Sequence, residues 1–176
     1  MVHALSRTLS LPIKTCVRAE AWNAYAKQVG QEELFKRLRA GGVPAPLIPK
    51  LPDDREIDAL EVLLETRLPP SYRAYLLTLS DVLAGAYWPL VIHHELTGGR
   101  LLDQTRDLRA IGLPQFLVPF ETSQDGDAFC FDTRSAGPEY AVVRWVHDDG
   151  SFDTYRWPSF IAWVQDEWLP TVEDQK

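Results

Sequence analysis

The tetrapeptide Leu68-Pro69-Pro70-Ser71 constrains this fold more than any other stretch, because each proline removes an amide donor, fixes its own φ and pushes the preceding residue out of the helical region. Helical periodicity stands on both sides of it. Before it, Ile57, Leu60, Leu63 and Leu64 recur at helical spacings to line one face, and Asp53 with Glu56 has the spacing of a capping box. After it, Tyr72, Tyr75, Leu76 and Leu79 repeat the same pattern, with proline suited to the first turn. Two amphipathic helices meeting at a corner are expected, each needing an apolar surface to cover it.

Strands are expected to supply that surface. From Tyr87 onward the chain breaks into short β-rich runs, Tyr87–Ile92, Phe116–Glu121, Ala128–Asp132, Ala141–His147 and Ser151–Arg156. Gly98-Gly99, Asp125-Gly126, Gly137-Pro138 and Asp149-Gly150 separate them, and such short turns imply antiparallel pairing. A short helix is expected at Leu101–Ala110 and a closing one at Ser159–Trp168, with Ser159 as cap and Phe160, Ile161, Val164 and Trp168 as its apolar stripe.

Upstream, Arg18–Ala40 reads as two short helices interrupted at Gly30 and ended by Gly41-Gly42, and Val43–Pro52 as an extended proline-rich linker. The expected class is α+β: N-terminal helices, an antiparallel twisted sheet of about five to six strands, and a C-terminal helix packed on the sheet. The expected division is a helical extension plus linker at residues 1–52, an α+β domain at 53–170 and a tail at 171–176.

With 176 residues, 45% of them hydrophobic and six of them Trp, the chain has enough apolar mass for one core without a staple. Cys16 and Cys130 lie far apart in helix-like and strand-like contexts, so both are expected as buried thiols rather than a disulfide framework. No apolar run approaches the roughly 20 residues that span a bilayer, and the N-terminus lacks a signal-peptide pattern, so a cytoplasmic protein with no membrane partner is expected.

The net charge of −7 argues against direct binding to nucleic acid, since phosphate contacts need Lys and Arg. Its distribution is uneven: residues 1–50 carry eight basic against three acidic side chains, residues 121–176 four against twelve. That asymmetry is either a solvated surface or a face for a basic protein partner.

Individual motifs offer little chemistry. In His93-His94-Glu95 adjacent strand residues face opposite ways, so the imidazoles do not share an ion easily. Asp125-Gly126-Asp127, with Asp132 further on, resembles part of a calcium loop but lacks the remaining ligands and the closing Glu. His147-Asp148-Asp149-Gly150 sets an imidazole beside two carboxylates, and an Asp-Gly turn explains the same residues. A metal-dependent hydrolase built on Asp125, Asp127, Asp132 and His147 is therefore the weakest reading.

No serine or cysteine sits in a Gly-x-Ser-x-Gly context, and no glycine-rich loop carries the Lys-Ser/Thr pair of a phosphate site. No enzyme, cofactor, catalytic residue or metal ligand is expected. The collective charge of Asp125, Asp127, Asp132, His147, Asp148, Asp149 and Asp153 makes these the candidate partner-binding residues.

Four blocks taken together resemble the SUKH superfamily, which contains bacterial immunity proteins and fungal regulators of cell-wall synthesis. They are Ile57…Glu61…Leu64 with Leu68-Pro69-Pro70-Ser71-Tyr72 and the following Tyr75-Leu76-Leu77; Phe120 with Asp125-Gly126-Asp127-Ala128-Phe129-Cys130-Phe131-Asp132; Val142-Val143-Arg144-Trp145-Val146-His147-Asp148; and Ser159-Phe160-Ile161-Ala162-Trp163-Val164. Glu65-Thr66-Arg67 stands where the family commonly has glycine before its Leu-Pro corner.

The resemblance implies a sheet flanked by helices, no catalytic machinery, and a role as antidote to a cognate toxin, often a basic nuclease. An intracellular scaffold or regulator of cell-envelope synthesis, docking through the basic N-terminal helices, is the alternative. A homodimer contact through residues 1–50 also stays open.

Overall fold

The structure, a computed structural model, describes residues 30–174, with residues 152–156 described through their backbone. Cys16 and the first of the two expected N-terminal helices lie outside the described residues.

Residues 30–41 form helix α1, which ends at Gly41-Gly42 as its sequence requires. Leu34, Phe35 and Leu38 of α1 are buried in the main core. The proline-rich stretch that follows is anchored along its length. Val43–Pro44 (β1) pairs antiparallel with Val82–Leu83 (β2), and the Ala45 amide donates to the Asp81 carbonyl at 2.8 Å.

Helix α2, Asp54–Leu64, opens on the expected capping box: Asp53 Oδ1 accepts from the Glu56 amide and Glu56 Oε2 from the Asp53 amide, both at 2.9 Å. Its buried face exchanges one expected residue for another. Leu63 is 57% exposed, and Glu61 lies on the buried face with Ile57, Leu60 and Leu64.

A carboxylate is tolerated there because the corner surrounds it with donors. Glu61 accepts from the Leu68 amide at 2.9 Å, from Arg67 Nη1 at 2.7 Å and from Arg73 Nη1 at 2.9 Å. Burial opposes the charged form, but the Leu68 amide and the two guanidinium groups outweigh it and hold the carboxyl below its ordinary range. Helix α2 closes at Glu65 with φ 57°, a left-handed conformation that favours glycine.

Helix α3, Pro70–Thr78, buries Tyr72, Tyr75 and Leu76. The four-stranded antiparallel sheet has the order β3-β4-β5-β6, from Leu117–Thr122, Ala128–Asp132, Ala141–Trp145 and Phe152–Trp157. With β1 and β2, the described residues form six strands in two sheets. Helix α4, Leu101–Ala110, precedes the sheet at the expected bounds.

A C-terminal helical run packs on the sheet: α5 (Phe160–Trp163), a π turn (Val164–Trp168) and α6 (Leu169–Glu173). Ser159 caps it by accepting from the Ala162 amide at 3.2 Å.

The sheet is apolar on both faces. One face gives Val118, Phe120, Phe131, Val142 and Trp157 to the main core, where the Tyr72 ring lies 5.2 Å from both Phe131 and Phe160. The other carries Leu117, Ala128, Cys130, Val143 and Trp145 under Leu108 and Leu113. Cys130 is a buried free thiol whose pKa burial pushes well up.

Tyr87–Ile92, expected as a strand, is an irregular segment instead. Pro89 has no amide to give a ladder, and two carbonyls that a ladder would use are taken by side chains. The Tyr72 hydroxyl donates to the Leu90 carbonyl at 2.5 Å and the Tyr75 hydroxyl to the Pro89 carbonyl at 3.1 Å. Single bridges remain, from Ala84 to Tyr87 and from Val91 to Arg100.

Two substitutions test the corner by urea denaturation. Glu61→Ala strands the buried Leu68 amide and leaves Arg73 only its Asp54 and Asp58 partners, and should cost about 2 kcal/mol near neutral pH. Glu65→Gly relieves the left-handed residue and should stabilise by roughly 0.5–1 kcal/mol.

Candidate functional site

The site begins with an irregularity in β3. Pro119 pairs with Cys130, and the next pair is Glu121 with Phe129, so Phe120 is an extra residue in the strand. Such a bulge re-aims the side chain that follows it. Phe120 stays in the core, and Glu121 joins Phe129 and its partner Arg144 in a row across β3, β4 and β5 on the helix-facing side.

Over this row lies a cavity of about 1020 Å³, lined by the three row residues and by Tyr87, Trp88 and Glu167 among others. That volume is at the upper end of what small-ligand sites occupy. Its outer wall is the 84–92 segment, which is pinned from beneath by Tyr72 and Tyr75. Trp168 Nε1 adds a third tether, donating to the Ala84 carbonyl at 2.7 Å. The Tyr87 ring sits 5.2 Å from Trp163 and 5.9 Å from Phe129, whereas Trp88 is 64% exposed.

Charges around the cavity are unequally matched. Arg144 donates to Asp127 Oδ2 through Nε at 3.1 Å and Nη2 at 2.7 Å. Glu121 is 6% exposed and makes no hydrogen bond or ion pair among the described residues. Burial alone pushes its carboxyl up to about 7. The Tyr87 hydroxyl stands 3.5 Å from Glu167 Oε2, and burial followed by the Glu167 and Glu121 charges raises the phenol's pKa.

The acidic residues expected to bind a partner divide into two places. Turns 123–127 and 147–150 touch, since a Cβ on Gly126 would lie 2.9 Å from His147 Nδ1. Asp125, Asp127, His147, Asp148 and Asp149 therefore share one end of the sheet, beside the cavity that Ser123, Gln124 and Asp127 help to line.

Asp127 is buried and structural there, accepting from the His147 amide at 3.2 Å as well as from Arg144. Asp149 accepts from the Ser151 amide at 2.8 Å, and hydrogen bonds from Ser151 hold its carboxyl below its usual value. Asp125 and Asp148 are exposed.

Asp132 lies at the opposite end of β4, bound to Arg134 at 3.0 Å. The side chain of Asp153 lies outside the described ones. Among the described residues no group of three or more His, Cys, Asp and Glu could hold a metal ion. His93 Nε2 lies 3.0 Å from Glu56 Oε1, whereas His94 Nδ1 meets the Leu96 carbonyl at 2.9 Å and the Leu96 amide at 3.0 Å, so the adjacent imidazoles serve different partners.

Sequence reasoning missed Glu121 and the cavity. The available signal was Pro119, because proline inside a strand marks an edge or a bulge.

The Glu121 carboxyl gives a stability test with a defined sign. A pKa raised on folding, from 4.5 to about 7, means that the native state holds the extra proton, so this group's contribution falls as pH rises across that window and is constant above it. Glu121→Gln should be more stable than the parent by roughly 2–3 kcal/mol at pH 8 and equal to it near pH 4, read by urea denaturation at each pH.

No curated protein matches the sequence. A crystal structure of a protein from Pseudomonas syringae pv. tomato superposes with a TM-score of 0.67 and 25% identity, covering 79% of this chain and 98% of its own. The sequence profile SUKH_5, described as SMI1-KNR4 cell-wall, matches residues 31–169, from α1 to the start of α6. With most of its length matched and its fold shared, the chain belongs to the SMI1-KNR4 cell-wall family of the SUKH superfamily.

Proposed function

We propose that this protein is a non-enzymatic immunity protein that binds and neutralises a cognate toxin domain of basic charge in the cytoplasm. The observation that carries this reading is the placement of two acidic turns against an aromatic-walled cavity. Exposed Asp125, Asp148 and Asp149 form the polar side of that surface, and the exposed Trp88 offers an anchor beside it. A large aromatic group within a polar surround is the composition of a protein-binding face.

The charge of residues 121–176, four basic against twelve acidic, would steer a basic partner toward this end of the sheet. No helix among the described residues is long and apolar enough to cross a membrane. A regulator or scaffold of cell-envelope synthesis is the second reading, favoured by the family's cell-wall description.

Expression of this chain should protect cells from a toxin encoded beside its gene, and that toxin should be retained on the purified protein at moderate salt. Absence of both protection and retention overturns the immunity reading.

Kinetics then test the face. Replacing Asp125, Asp148 and Asp149 together by Lys should slow association with the toxin by about tenfold at low ionic strength and change dissociation much less. An unchanged association rate removes these turns from the docking surface.

A further inference from the structure

We infer that the cavity over the Glu121–Phe129–Arg144 row is a receptor for a single guanidinium group, an arginine side chain presented by the partner protein. This deepens the docking reading and rests on it for the source of the arginine.

The first observation is the carboxylate itself. Glu121 lines the cavity, is more than nine-tenths buried, and has no hydrogen-bond donor or counter-charge among the described residues. Buried carboxylates are ordinarily satisfied, and in this chain Glu61 and Asp132 are. Among the described residues, the one Lys or Arg lining the same space, Arg144, is turned to Asp127 by two hydrogen bonds. What Glu121 lacks is a donor pair from outside.

The second observation is the wall. Tyr87, Trp88, Phe129 and Trp157 all line the cavity, and among the described residues its other carboxylates are Asp127, which Arg144 holds, and Glu167. A planar guanidinium stacks on aromatic rings and forks onto a carboxylate with two parallel N–H donors, whereas an ammonium is a more strongly hydrated point charge that does neither as well. Aromatic walls around an unmatched carboxylate select arginine over lysine. The volume of about 1020 Å³ leaves room for the backbone that carries it.

Binding would follow pH, because the guanidinium needs the ionised carboxylate, and burial places the Glu121 carboxyl at about 7. Among the described residues, the titratable groups that line the same space are Tyr75 from α3, Tyr87 and His94 from the 84–99 segment, Glu167 from the C-terminal helical run, and Asp127, just before β4, paired with Arg144 of β5. Their shared influence is removed by comparing the parent with Glu121→Gln.

The probe is a capped Gly-Arg-Gly tripeptide, with the same peptide carrying citrulline as its neutral isostere, titrated calorimetrically into the full chain. The arginine peptide should bind at least about tenfold tighter than the citrulline peptide at pH 8. Glu121→Gln should erase that difference, and lowering the pH from 8 to 6 should weaken arginine binding about tenfold in the parent and not in the variant.

Equal affinity for the two peptides, or no binding of either, overturns the inference, and this comparison on the unaltered chain stands whether or not the variant folds. Preference for arginine that survives in a folded Glu121→Gln variant also overturns it. If the toxin is captured but arginine and citrulline are not distinguished, the inference fails alone. If arginine is selected through Glu121 but no toxin is neutralised, the immunity reading fails alone.

Discussion

Two phenolic hydroxyls buried beneath the 84–92 segment are the interactions on which the rest of the molecule depends. Tyr72 and Tyr75 are fully desolvated, and burial drives both phenols well above their ordinary pKa, so both remain neutral donors at any physiological pH. Each donates a hydrogen bond to a carbonyl, Tyr72 to that of Leu90 and Tyr75 to that of Pro89. The same rings pack on Phe120, Phe131, Phe160 and Trp168. One helix thereby joins the sheet, the C-terminal run and the cavity wall, and the position of that wall is set by core packing rather than by the wall's own sequence.

This dependence explains which features the sequence reveals. The Asp53–Glu56 box, the Ser159 cap, the Leu68-Pro69-Pro70 corner and the Asp-Gly turns are written in residues close together along the chain, and each is found where local chemistry requires it. The strand pattern at Tyr87–Ile92 is equally plain locally, yet its carbonyls are captured by side chains 14 and 18 residues away in sequence. Likewise, the amphipathic pattern of α2 favours Leu63 on the buried face until the donors of the following corner make room for Glu61.

The acidic turns show the same boundary from the side of function. Their identity as turns is local and legible. Their grouping is not: Asp127 and Asp132 are five residues apart and belong to opposite ends of β4, while Asp127 and His147 are distant in sequence and adjacent in space. Charge counted along the chain overstates the number of carboxylates that can act together, since Asp127 and Asp132 are occupied by Arg144 and Arg134.

The bulge in β3 has a further consequence for how another chain can approach. β3 is an outer strand of the sheet, and exposed outer strands invite a foreign strand to extend the ladder. Here Pro119 offers no amide, Phe120 is out of register, and the Phe120 carbonyl already accepts from the Leu90 amide at 2.7 Å. Strand addition is blunted at the very place where the sheet turns its carboxylate inward. On the proposed docking reading, a partner at this end would be engaged by side chains entering a face, a mode that reads its chemistry rather than its backbone.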